Sequence, residues 1–94
     1  MGRIFEKNLT RIDKERGLKI SSGANLLPPG DAVLDVKDAS TGNVMHFDYK
    51  VSGREIPIIR GNIWREFIRH KDDGAIITIY TYEGSDASYK IVVR

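Results

Sequence analysis

The chain contains no cysteine among its 94 residues, so neither a disulfide framework nor a thiolate metal site can form, and a reducing compartment is the easier fit. No apolar run approaches the ~20 residues that span a bilayer, and the opening MGRIFEKNLT has no apolar core of the kind a secretory signal needs. Repeats, linkers and low-complexity tracts are also missing, which leaves residues 1–94 as one soluble domain with room for a single core. Catalytic equipment is equally sparse. His46 falls on the polar face of a strand pattern and His70 near a helix end, neither with a spaced acidic partner, so no zinc site or nucleophile–base pair is expected. SSGAN has one glycine and no following Lys-Ser or Lys-Thr, so it is not a phosphate loop, and Asp72-Asp73-Gly74 reads as a helix stop rather than a metal site. The expectation is a protein without enzymatic activity, cofactor, metal or small-molecule substrate.

Nor does the chain carry much net charge, only +2 at pH 7, but that charge is unevenly placed. Residues 1–20 hold six cations against three anions, and residues 50–71 hold six against two. The intervening segment 21–49 has one cation against four anions, and 72–94 has two against four. Two basic segments therefore stand apart in a nearly neutral sequence. Brought together by the fold, they would form one basic face, the electrostatic footprint of a polyanion site.

Apolar periodicity is mostly that of strands. In VMHFDYKV, Met45, Phe47, Tyr49 and Val51 alternate with polar neighbours, which predicts a half-buried strand facing the core through Phe47 and Tyr49. AVLDVKD (32–38) precedes it across the turn STGN, predicting a hairpin. AIITIYTY (75–82) and SYKIVVR (88–94), β-branched and aromatic, predict a second. RIFEKNL (3–9) and GLKI (17–20) are shorter candidates flanking a charged loop, and IPIIR adds another strand. The total is about seven strands, by spacing a barrel or sandwich. Helix is expected at NIWREFIRHK (62–71), where Ile63, Trp64, Phe67 and Ile68 make an apolar stripe, and as one turn within SSGANLLPP (21–29).

In this order the elements resemble the plant-type B3 DNA-binding domain. FEKNLT supplies the Phe5, Lys7, Leu9 and Thr10 of the opening motif, with Ile12-Asp13 where Ser-Asp is common. GLKI and LLPP match the second strand and the following Leu-Pro through Leu18, Ile20, Leu27 and Pro28. Gly61, Trp64, Phe67, Lys71 and Gly74 follow the order of the later Gly-Trp-x-x-Phe helix and its basic-Gly exit, although two residues separate Gly61 from Trp64 and Ala75 stands where aspartate is usual. The resemblance implies a mostly β fold, an open seven-stranded pseudobarrel with two short helices, which grips the major groove of double-stranded DNA between two jaws. On this chain the jaws are Lys7 to Lys19 and Lys50 to Arg60, and they coincide with the two basic segments found from charge alone. It further implies a nuclear transcriptional regulator of plants, with any protein partners engaged through regions outside this domain and no role for a membrane. Ser21-Ser22 replaces the Pro-Lys or Pro-Arg frequent after the second strand, and the first jaw is short, so base preference does not carry over.

Within the jaws, the required chemistry is phosphate neutralisation plus a few base-edge contacts. Arg11, Arg16 and Arg54 suit guanine, which arginine binds bidentately through O6 and N7. Lys7, Lys14, Lys19, Lys50 and Arg60 suit phosphates, with Asn8, Thr10 and Ser52 offering shorter hydrogen bonds and the start of the Asn62 helix offering N–H donors. Two other functions fit the same sequence: the recognition domain of a restriction endonuclease, and a β-barrel module whose charged loops bind an acidic protein.

Overall fold

Alternation sets the central hairpin. In the computed structural model, which describes residues 2–51 and 56–94, β3 (Ala32–Asp38) pairs antiparallel with β4 (Val44–Lys50), placing Leu34 opposite Phe47 and Ala32 opposite Tyr49. Leu34, Val36, Phe47 and Tyr49 are buried while Asp35, His46, Asp48 and Lys50 face solvent. The turn is held by Asp38, whose carboxylate accepts from the Ser40 N–H and hydroxyl (2.9 Å each) and from the Thr41 hydroxyl (3.1 Å). Burial alone would raise the Asp38 carboxyl, but these donors outweigh it and hold the group below its ordinary value.

The remaining strands extend this hairpin on both sides. β1 (Arg3–Asn8), β6 (Ile76–Thr81) and β7 (Tyr89–Val93) pair antiparallel, and β7 joins β3 in the sheet's parallel contact. On the other side β4 meets β5 (Ile58–Arg60), and β5 meets the two-residue β2 (Leu18–Lys19). The order β1-β6-β7-β3-β4-β5-β2 makes the open seven-stranded pseudobarrel expected from the sequence. Its two edges are β1 and β2, consecutive in the chain, so the connection between them runs from one open edge of the sheet to the other.

That connection departs from the sequence reading, which made it a charged loop. Residues Arg11–Arg16 form a helix, α1, nucleated by a capping box: the Thr10 hydroxyl accepts from the Asp13 N–H at 3.2 Å, and the Asp13 carboxylate accepts from the Thr10 N–H at 2.9 Å. Gly17 ends it at φ 119°, where a side chain would place its Cβ 2.7 Å from the Ile59 carbonyl oxygen. The second helix, α2 (Asn62–Ile68), lies where the periodicity put it but is shorter than 62–71, and its stripe is narrower. Trp64 and Ile68 are buried and Phe67 partly so, whereas Ile63 is 48% exposed, because its position on the helix turns it away from the sheet. The turn expected within 21–29 is a short 3₁₀ segment, Ala24–Leu26.

The core gathers residues from every strand around Trp64, which meets Phe47 edge-on with centroids 5.4 Å apart. Burying a side chain this large supplies several kcal/mol of the domain's stability, on the order of 3–5 by truncation. The indole N–H donates to the Asp13 carbonyl at 2.9 Å and so ties α2 to α1.

Candidate nucleic-acid interface

The two basic segments meet through strand register. Lys19 of β2 lies opposite Ile58 of β5, and Lys50 of β4 lies opposite the same Ile58. Lys19 and Lys50 are both exposed, while the adjacent row of Leu18, Ile59 and Tyr49 is buried, so the two lysines share the outward face. Their backbones stand two strand spacings apart, about 10 Å. Arg60, two residues along β5, is exposed on that face opposite Asp48. Among the described residues, Lys19, Lys50, Arg60 and Arg16 form no ion pair.

Helicity sorts the first jaw into two sides. Ile12 and Arg16, one turn apart on α1, line a groove of about 290 Å³ together with Lys7, Thr10, Asp13, Gly17, Lys19 and Ile58. Arg11, Lys14 and Glu15 instead line a larger cleft, about 600 Å³, shared with Arg65, Glu66 and Arg69 of the α2 segment and with Asp73. Charges in that cleft are largely matched. Arg11 Nε lies 2.9 Å from Glu15, which holds the guanidinium's pKa above its ordinary value, and Arg69 pairs with Glu66 at 3.4 Å. Lys14 Nζ donates to the Lys71 carbonyl at 2.6 Å and lies 3.3 Å from Asp73, so it works as a tether between α1 and the segment after α2.

Lys7 is also engaged: its ammonium lies 3.0 Å from the buried Asp13 carboxylate and is only about one-third exposed. Asn8 is exposed at the end of β1, and Thr10 is spent on the cap. Ser52 and Arg54, the other candidates named for the second jaw, lie outside the described residues. Two features escaped the sequence reading. Asp13 organises Lys7, Thr10 and, through its carbonyl, Trp64; the T-x-x-D spacing of a capping box was the available signal. Lys71 sits 5.4 Å from the Phe67 ring centre in a cation–π contact, for which the four-residue spacing of the two was the available signal.

An open seven-stranded pseudobarrel in which β5 lies between β4 and β2 is the kind of fold that the resemblance to plant-type B3 domains implied. Among solved structures the chain is similar to the Arabidopsis FUS3–DNA complex, with a TM-score of 0.71 over 98% of this chain and 96% of that one, at 17% sequence identity. The resemblance thus holds along almost the whole chain at the level of fold. No protein-family model and no curated protein matches the sequence significantly. Among the described residues there is no helix long and apolar enough to cross a membrane, and no cluster of three or more His, Cys, Asp or Glu side chains placed to hold a metal ion.

Proposed function

We propose that this chain is a B3-type domain that binds double-stranded DNA in the major groove, and that it serves as the non-enzymatic DNA-binding domain of a plant transcriptional regulator working in the nucleus. The observation that carries this reading is the row Lys19, Ile58, Lys50, where two separate basic segments converge on one exposed face. The fold shared with the protein of a solved DNA complex supports it. Arg16, Lys19, Lys50 and Arg60 supply phosphate and base contacts on this reading, and Arg54 and Ser52 are further candidates by their place in the sequence. Lys7, Thr10, Arg11 and Lys14 act mainly by fixing the shape of the first jaw, with Asn8 at its rim. Arg16 and Arg54 are the candidates for guanine, since a guanidinium matches O6 and N7 together.

Selection from a randomised duplex pool tests the proposal. A DNA reader enriches a defined site and binds it with a steep dependence on salt, because each phosphate contact releases counterions. Failure to enrich any sequence, with retention by an acidic polypeptide instead, would favour the protein-binding module.

A further inference from the structure

Ile12 is the most exposed large hydrophobic residue described, at 64%. It lies on α1, one turn from Arg16, in the groove that also holds Lys19 and Ile58. Nothing in the core requires it: the buried residue of α1 is Asp13, and the helix is anchored by the capping box and by the Trp64 hydrogen bond. A β-branched apolar side chain in this position adds nothing to phosphate binding. Its surroundings are cationic on one side, through Arg16 and Lys19, and apolar on the other, through the half-buried Ile58. A duplex major groove offers a matching pair of features, anionic phosphates at its rim and, at each A·T pair, a thymine C5-methyl group on its floor.

We propose that Ile12 is a specificity-determining residue that reads a thymine methyl, while Arg16 and Lys19 hold the flanking backbone. This rests on the proposal that the jaws bind duplex DNA. The side chain is held on a helix tied at two points, so little ordering cost opposes the contact. It follows that part of this chain's base preference lies in a methyl group rather than in hydrogen bonding.

The test uses the best duplex from the randomised pool, labelled with fluorescein, with each thymine replaced in turn by deoxyuridine. Parent protein should lose about fourfold in affinity at one position, the factor that corresponds to burying a single methyl group. Ile12→Ser should bind the thymine duplex more weakly and lose the discrimination at that position, while Ile12→Val, which keeps a branched aliphatic surface, should retain it. Circular dichroism of both variants confirms that α1 and the barrel persist. Equal thymine-over-uracil discrimination in parent and Ile12→Ser overturns the inference but leaves DNA binding intact, as does a parent indifferent to every replacement. Absence of any selectable duplex defeats the DNA-binding proposal itself, and this inference with it.

Discussion

The indole N–H of Trp64 donates to the backbone carbonyl of Asp13 across 2.9 Å, linking the centre of the core to the helix of the first jaw. The same Asp13 caps that helix with its carboxylate and binds the Lys7 ammonium, so one residue joins β1, α1 and α2. The jaw's geometry is thereby tied to the packing of the barrel. Trp64→Ala should destabilise the domain by about 3–5 kcal/mol, as deletion of a buried aromatic does. Trp64→Phe keeps most of the apolar contact and removes the indole hydrogen bond, with an expected loss of about 0.5–1.5 kcal/mol for that bond, since the Gly17 N–H still donates to the same carbonyl. Urea unfolding measures both; a Trp64→Ala variant as stable as the parent would contradict the packing.

Asp13→Ala should cost about 0.5–2 kcal/mol through the lost cap. Its helical circular dichroism should fall, and Lys7→Met, which leaves the cap in place, should be milder. Equal loss in the two variants would mean that the ion pair, not the cap, holds α1.

Stability should also fall in acid through Asp38. Its folded-state carboxyl lies below the ordinary value of 3.8: burial opposes ionisation, but the Ser40 and Thr41 hydrogen bonds prevail. The unfolded chain therefore takes up this proton first, so the contribution is complete above the unfolded value and is lost as pH falls through the folded one. Melting temperature should decline below about pH 4, and Asp38→Asn should flatten that decline. Parallel acid limbs for parent and variant would assign the effect to other carboxylates.

Charge reversal separates the interface from the rest of the surface. Lys19→Glu or Arg16→Glu should reduce duplex affinity sharply at fixed salt. Lys90→Glu should change it little, because Lys90 lies on β7 beside the Tyr82 ring and opposite Lys37 of β3, outside both jaws. Surface changes of this kind usually alter stability by less than about 0.5 kcal/mol, which thermal melts would verify. Comparable losses in all three variants would indicate diffuse attraction instead of a site.

Much of the architecture was legible because alternation and β-branching are local signals. AVLDVKD became β3 residue for residue, and Phe47, Tyr49 and Trp64 are buried as their spacing required. The helix α1 was missed for a physical reason: RIDKER has no apolar stripe, and its stability comes from the Thr10–Asp13 cap and from Trp64, fifty-one positions away. Reading those residues as a loop hid the two-sided character of the jaw, in which Arg16 faces the groove while Arg11 and Lys14 turn toward α2. The convergence of Lys19 and Lys50 depends on β5 lying between β4 and β2, a long-range pairing that no local pattern specifies.

The salt dependence of duplex binding by Lys19→Ala, Lys50→Ala and the double variant tests the central proposal most directly. If both lysines neutralise phosphates of one bound duplex, the slope of log affinity against log salt should become shallower by about 0.9 for each single variant and about 1.8 for the double. A double variant with the parent's slope would contradict a shared DNA-binding face built from the two jaws.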